Sequence, residues 1–232
     1  GLLIRPEVTG LGLVYFAREM LATKGKSFKV ATVSLSGSGN VAQFACEKVL
    51  DLGGIPLTMS DSSGFIHDSE GIDREKLAWI MDLKNNRRGR ISEYTSKFTS
   101  ATFTASAPEP SSNGLWGVNV DVALPCATQN EVNGAEAQML IDNKVIAVAE
   151  GANMPCTPEA VEVFQKSGVM FAPGKASNAG GVATSGLEMS QNSLRYGWTR
   201  EEVDAKLDNI MVNIHKNAAE TAEKYGRPGD YV

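Results

Sequence analysis

Residues 30–42 read Val-Ala-Thr-Val-Ser-Leu-Ser-Gly-Ser-Gly-Asn-Val-Ala, a β-branched run that closes on two glycines and a helix-forming segment. A strand, a tight glycine turn and a helix start in that order leave a chain few folds to choose from. The turn brings a strand end and a helix N-terminus to one point. Gly37 permits the tight turn. Gly39 has no side chain, so a ligand can approach the backbone closely. Ala42 stands where a third glycine often falls and is small enough for helix to pack on strand. The helix start offers unpaired N–H groups and the positive end of its dipole, which suits a dinucleotide pyrophosphate.

The rest of the chain keeps the same rhythm. Leu13, Val14, Phe16, Ala17, Met20 and Leu21 recur at helical spacing over residues 7–23, closed by Gly25. A strand is predicted at 29–35 and a helix from Asn40 to Leu52, stopped by Gly53-Gly54. A second strand is predicted from Ile55 to Met59, with Ser60-Asp61-Ser62-Ser63-Gly64 as a polar turn. Helices follow at 73–88 and 90–98, and Ala105–Asn119, with Pro108, Pro110 and Gly114, reads as an exposed loop. Then come a strand at Val118–Leu124, a helix at 134–142, a strand at Val145–Ala149, a helix at 158–167 and a strand at Val169–Phe171. Such alternation predicts an α/β fold, a doubly wound and mostly parallel sheet covered on both faces. After Ala176 the pattern is helical only, and Thr199-Arg200-Glu201-Glu202 fits a capping box. The division expected is a leading helix at 1–28, a Rossmann-like dinucleotide-binding domain at 29–175 and a helical segment at 176–232.

Charge and cysteines narrow the setting. The net charge of −5 comes without any basic block, which argues against nucleic acid or a membrane surface as partner. No apolar run approaches the length of a membrane span. Cys46, Cys126 and Cys156 are an odd number, far apart and in no metal-binding spacing, so no metal site is expected. With no visible secretory signal they suggest reduced thiols in a cytoplasmic setting. The chain does not begin with Met, and a targeting segment upstream stays open.

Four constellations carry chemistry. Asp61, at the end of the second strand, is placed to take ribose hydroxyls, which favours NAD. Ser62, Ser63, Lys84, Arg87 and Arg88 are instead the donors and cations that would hold a 2′-phosphate. Lys84–Arg90 is also the kind of solvated helix end that complements a dipole, and on the residues alone that plainer reading is preferred. Ala123-Leu124-Pro125-Cys126-Ala127-Thr128-Gln129-Asn130-Glu131 and Glu150-Gly151-Ala152-Asn153-Met154-Pro155 each follow a buried strand. Ligands of open α/β sheets bind at such strand ends. For the first, the plain alternative is a helix cap by Thr128 or Asn130. Pro173–Ser185 leads from a strand into small polar residues. His67 in a polar loop, His215 on a late helix and Cys126 read as surface or packing residues.

These four constellations, in this order, resemble the cofactor domain of hexameric glutamate dehydrogenases, within the glutamate/leucine/phenylalanine/valine dehydrogenase superfamily. Arg5–Gly12, Ser36–Gln43, Ser60–Gly64, Ala123–Glu131, Glu150–Pro155 and Pro173–Asn192 match that family's signatures along nearly the whole chain. Val8 and Leu11 depart from the commoner Ala and Tyr, read as packing changes. The resemblance implies that Thr9 and Asn153 hold the nicotinamide side of the cofactor. It places Ser38, Gly39, Asn40 and Val41 at the pyrophosphate, with Ala127, Thr128 and Gln129 lining the same crevice. It matches Ser62 and Lys84 to 2′-phosphate positions and so shifts the balance to NADP, with Asp61 turned away or sharing the ribose. Ser185, with Val182 beside it, would meet the distal carboxylate of the substrate.

The implied reaction is oxidative deamination of L-glutamate to 2-oxoglutarate and ammonia with NADP(H), in a homo-hexamer. The family's water-activating lysine and proton-moving aspartate lie in a glycine-rich segment of its substrate domain, and no such segment occurs here. No catalytic residue is therefore assigned. The chain looks like the cofactor half of a longer enzyme, inactive alone. An NAD-dependent amino-acid dehydrogenase of the same superfamily and a non-catalytic nucleotide-binding module remain the alternatives.

Overall fold

In the three-residue strands of this chain, neighbouring side chains part to opposite sides. Val122 and Leu124 belong to one apolar cluster and Ala123 to another. Ala147 and Ala149 divide from Val148 in the same way, as do Met170 and Ala172 from Phe171. Side-chain alternation with a period of two thus builds a core on each face of one sheet, and every residue of these strands is buried. The structure is a computed structural model and describes residues 7–107, 114–177, 179 and 198–232.

The sheet has seven strands. They are β1 (Thr32–Leu35), β2 (Ile55–Asp61), β3 (Gly64–Asp68), β4 (Ala101–Ala105), β5 (Val122–Leu124), β6 (Ala147–Ala149) and β7 (Met170–Ala172), in the spatial order β4-β3-β2-β1-β5-β6-β7. β2, β1, β5, β6 and β7 are mutually parallel, while β3 is antiparallel to β2 and to β4. Among the described residues the helices are α1 (Val8–Ala22), α2 (Asn40–Asp51), α3 (Arg74–Asn85), α4 (Tyr94–Lys97), α5 (Gly134–Asp142), α6 (Pro158–Ser167), α7 (Gly174–Ser177) and α8 (Arg200–Lys224). α1, α2, α3 and α8 contribute to the first core and α5 and α6 to the second. The chain order reverses at β1, so the ends of β1 and β5 flank the switch point where such sheets bind ligands.

The expected doubly wound sheet is present, with differences. β3 and β4 were not anticipated. His67 lies within β3, paired with Thr58 and Thr102, and not in a loop. Gly64-Phe65-Ile66-His67-Asp68 is too short and too polar at its ends to advertise a strand. It forms because Ser62-Ser63 makes a two-residue hairpin after Asp61, with Asp61 opposite Gly64. The loop expected at Ala105–Asn119 is not wholly exposed. Leu115 and Trp116 sit in a 3-10 turn and, with Val120, are buried in the second core. Val8 and Leu11 are buried in the first core, in line with packing roles. The capping box at Thr199 is formed with Glu202.

Asp68, wholly buried on β3, accepts from Tyr94 Oη and lies 2.9 Å from Lys76 Nζ. Burial alone raises its pKa. Hydrogen bonds from Tyr94, Lys76 and Ser100 outweigh that effect and hold the carboxyl below its usual range. A depressed carboxyl stabilises the fold above its unfolded pKa, and that contribution is lost as pH falls through the folded value. Lys76→Met is therefore expected to destabilise the protein by about 3 kcal/mol at neutral pH, the cost of stranding one partner of a buried pair. The difference from wild type should narrow as pH drops below about 4. Urea unfolding at several pH values measures this, and an unchanged midpoint at pH 7 contradicts it.

Candidate functional site

The turn at Ser36–Gly39 is held on three sides. Gly37 has φ +83°, and a Cβ there would stand 2.9 Å from the carbonyl oxygen of Cys126. Its N–H donates to Ser60 Oγ at 2.7 Å and its carbonyl accepts from Ser60 N at 3.0 Å. The ends of β1, β2 and β5 therefore meet at one glycine. Gln43 Nε2 donates to Ser38 O at 2.7 Å and to Asn85 Oδ1 at 3.0 Å, tying the turn to α2 and α3. Side chains cap α3, α5, α6 and α8 (Asp73, Asn133, Thr157 and Thr199), but α2 begins at Gly39 with no side-chain cap. A Cβ at Gly39 would meet no atom within 4 Å. Open space before an uncapped helix N-terminus is what a bound phosphate requires.

Asp61 ends β2 beside this turn. Its Oδ1 accepts from Ser63 N at 2.9 Å and from Ser63 Oγ. Its Oδ2 accepts from Lys84 Nζ at 3.0 Å and from Ile91 N at 2.7 Å. A carboxylate has about four acceptor sites, and these donors fill them. Burial acts to raise its pKa, but the bonds from Ser63, Ile91 and Lys84 prevail and the carboxyl is lowered. Lys84 spends a second proton on Gly89 O at 2.9 Å, and its side chain is 19% exposed. Lys84 does stand in the last turn of α3, and Arg87, Arg88 and Arg90 are exposed, as the plainer reading has it, but the Lys84 ammonium itself is paired and not solvated. Ser62, at the hairpin tip, accepts from Arg90 Nη1 at 2.8 Å. Arg87 is committed elsewhere, 2.9 Å from Asp82 and over the Trp79 ring, and Arg88 occupies a left-handed turn at φ +52°. Of the basic residues at the end of α3, the fold thus brings Lys84 and Arg90 to the Asp61–Ser62 corner. Sequence reasoning passed over Arg90 because spacing could not show that Ile91 folds back onto Asp61.

The two polar turns adjoin each other. Gly151 N and Ala152 N donate to Pro125 O at 2.8 and 3.1 Å, and Asn130 N donates to Met154 O at 3.0 Å. Glu150 accepts from Cys156 N at 3.0 Å and from Gly174 N at 2.9 Å, linking the ends of β6 and β7. Asn133 caps α5, so neither Thr128 nor Asn130 is a helix cap. Ala127, Thr128, Gln129 and Asn153 are exposed. Thr9 is half-buried on the first turn of α1. Its neighbour Gly10 lies where a Cβ would stand 2.6 Å from Val41 O, so α1 abuts the start of α2. Val182 and Ser185 lie outside the described residues, as does Asn178.

A cavity of about 210 Å3 opens between these elements, lined by Ser36, Ser60, Asp61, Ser62, Leu115, Trp116, Ala127, Thr128 and Glu131. Larger hollows of about 600, 490 and 640 Å3 lie along α8 and the chain after it, with none of the described sequence-derived site residues on their walls. His215 is buried there, edge-on to Phe16 and 3.0 Å from Tyr231 Oη, and burial lowers its pKa. Burial pushes the Cys126 thiol well above its ordinary range, which makes it a poor nucleophile and supports a packing role. The three cysteines are free and buried.

The strand order and the uncapped glycine turn define a class, the doubly wound α/β domain of Rossmann type. The sequence profile of the Glutamate/Leucine/Phenylalanine/Valine dehydrogenase family matches residues 1–232, and the chain belongs to that family. It is 57% identical over its whole length to an NAD(P)-specific glutamate dehydrogenase of Xylanibacter ruminicola, covering 50% of that protein. It is 53% identical to the NADP-specific glutamate dehydrogenase of Escherichia coli, again over all of this chain and 50% of the relative. A crystal structure of Plasmodium falciparum glutamate dehydrogenase superposes with a TM-score of 0.91 at 43% identity, over 98% of this chain and 47% of that one. The chain thus spans about half the length of the curated relatives it matches.

Proposed function

We propose that these 232 residues supply the cofactor-binding half of an NADP(H)-dependent glutamate dehydrogenase. The observation that carries the choice of cofactor is the Asp61 corner. The carboxylate that would otherwise hold ribose hydroxyls is filled by Ser63, Lys84 and Ile91. Lys84 offsets its charge, and Ser62 with Arg90 stands beside it. That corner repels a 2′-phosphate little and offers it charge-assisted hydrogen bonds. The names of the relatives point the same way, although a relative from Bacteroides fragilis, 48% identical, is named NAD-specific.

In this reading the backbone of Ser38–Val41 and the α2 N-terminus hold the pyrophosphate. Ser62, Lys84 and Arg90 hold the 2′-phosphate, and Ala127, Thr128 and Gln129 form the opposite wall. Thr9 and Asn153 orient the nicotinamide, while Val182 and Ser185 serve the substrate side chain. Bound nicotinamide supplies the hydride acceptor; this chain's residues fix its position. The water-activating lysine and the proton-moving aspartate would come from outside these residues, which accords with a chain half as long as its relatives.

Titration with NADPH, NADH and 2′,5′-ADP tests the reading. NADPH is expected to bind at least about tenfold more tightly than NADH, and 2′,5′-ADP to compete with it. Equal affinity for the two cofactors would favour the NAD alternative, and no affinity for either would refute both. Glutamate is expected to give no steady NADPH production with this chain alone. Turnover would show that the catalytic groups lie within it.

A further inference from the structure

Glu131 has no part in the functional reading above, yet it joins two walls of the same cavity. Its Oε2 accepts from Ala127 N at 2.9 Å and from Thr128 N at 2.8 Å. Ser36 Oγ accepts from Cys126 N at 2.9 Å and hydrogen-bonds to the Glu131 carboxylate. One carboxylate thereby fastens the end of β1, directly before Gly37, to the turn after β5. Ala127, Thr128 and Glu131 all line the cavity. With Glu131 in place, that turn has a defined shape before any ligand arrives.

We propose that Glu131 is a positioning residue for the cofactor, holding the Ala127–Gln129 turn in its binding shape when ionised and releasing it when protonated. The inference rests on the functional reading for the identity of the ligand, but the latch itself does not. An ionised carboxylate accepts all three donors strongly, whereas a carboxylic acid is a weaker acceptor and must place a proton of its own. Burial pushes the Glu131 pKa up to about 7, against the hydrogen bonds from Ser36, Thr128 and Ala127 that lower it, with Glu136 adding to the rise. The latch therefore changes state near neutrality. Charged or titratable groups face it from each neighbouring element. Asp61, across the cavity, is lowered and paired with Lys84. The thiols of Cys126 and Cys156 are pushed well up. Glu136, on the first turn of α5, accepts from Asn133 N, and Glu150, behind Cys156, accepts from Cys156 N and Gly174 N.

The test has a ligand-free arm and a binding arm, both on the full chain. In 15N-labelled protein the Ala127 and Thr128 amide resonances should titrate together with a midpoint near 7. Glu131→Gln should abolish that titration. Glu136→Gln keeps an acceptor for Asn133 N but removes a negative charge, so it should move the midpoint down. In the binding arm, wild-type affinity for NADPH should rise about tenfold from pH 6 to pH 8 relative to Glu131→Gln, the weight of one hydrogen bond to a charged group. By linkage, calorimetry near pH 7 should detect proton release by wild type in excess of that by Glu131→Gln. Amides that do not titrate, or a Glu136→Gln midpoint that does not move, overturn the latch. Amides that titrate while both proteins bind NADPH with the same pH profile overturn the positioning role. Excess proton uptake also overturns it, since the carboxylate would then oppose the phosphate. Wild type that binds no NADPH while its amides titrate overturns the functional reading and the ligand assignment with it. A Glu131→Gln protein that fails to fold leaves the Glu136→Gln shift and the wild-type pH profile to decide.

Discussion

Lys84→Glu is expected to weaken NADPH binding by two to three orders of magnitude while changing NADH binding by less than about tenfold. Two effects add. The variant loses a charge-assisted contact to the 2′-phosphate, worth about 1.5–3 kcal/mol. It also sets a carboxylate against Asp61 where an ammonium now lies 3.0 Å away. With Lys84 19% and Asp61 8% exposed, water screens neither effect fully. One of the two acids would be driven to protonate, and the remaining charge would face the phosphate. Lys84→Met separates the terms, because it removes the cation without adding an anion and should cost NADPH roughly ten- to a hundredfold. Fluorescence titration with both cofactors measures this, and thermal unfolding checks the fold. Equal losses for NADPH and NADH would mean that Lys84 only props up Asp61 and the hairpin, and the phosphate assignment would fail.

That experiment addresses a question the sequence posed and could not answer. Asp61 at a strand end argued for one cofactor, and the basic residues downstream argued for the other. Distances along a chain do not say which cation folds back. Helix α3 ends at Asn85, and the segment after it returns so that Ile91 N reaches the Asp61 carboxylate. The return takes Arg87 to Asp82 and Trp79 and leaves Arg90 on Ser62. No periodicity marks such a reversal. Glu131 was equally hidden. It closes the Ala123–Glu131 signature, but its role depends on two backbone N–H groups and on a serine 95 positions earlier, at the end of another strand.

The fold was more legible, for reasons that differ by element. α5, at Gly134–Asp142, and α6, at Pro158–Ser167, start and stop at local signals. Asn133 and Thr157 cap them, and Gly168 in the left-handed region ends α6. The parallel strands declare themselves because burial on both faces demands unbroken apolar runs. β3 and β4 escaped notice because they form the antiparallel flank of the sheet. Thr102 and Thr104 of β4 are exposed, so that strand has no continuous run to announce it. The buried Leu115-Trp116 turn was mistaken for surface because nearby prolines and serines dominate the local composition. Local chemistry thus decides the helices and central strands, whereas the phosphate corner depends on which distant segments the sheet brings together.

Gly37→Ala is expected to damage both folding and binding, and Gly39→Ala binding alone. At Gly37 the backbone sits at φ +83°, a region that costs an L-residue roughly 1–2 kcal/mol. The added Cβ would also stand 2.9 Å from Cys126 O and 3.2 Å from Ala127 Cα. Those atoms are backbone, fixed by Glu131 and Ser36, so they cannot move aside as a side chain could. The glycine cannot retreat either, since Ser60 holds both its N–H and its carbonyl. Strain and clash together should cost about 2–4 kcal/mol, lowering Tm by roughly 5–15 °C for a chain of this size. NADPH and NADH should weaken alike, by at least about a hundredfold, because the pyrophosphate is common to both. At Gly39 φ is −87° and no atom lies within 4 Å of the new Cβ, so Tm should move by less than about 1 °C. The methyl group would instead occupy space assigned to the phosphates, and both cofactors should bind at least about tenfold more weakly. Calorimetric melting and nucleotide titration of the two variants side by side give the answer. A Gly37→Ala protein as stable as wild type would show that the β1–α2 turn is not clamped by its neighbours. A Gly39→Ala protein with unchanged affinity would show that the pyrophosphate binds elsewhere.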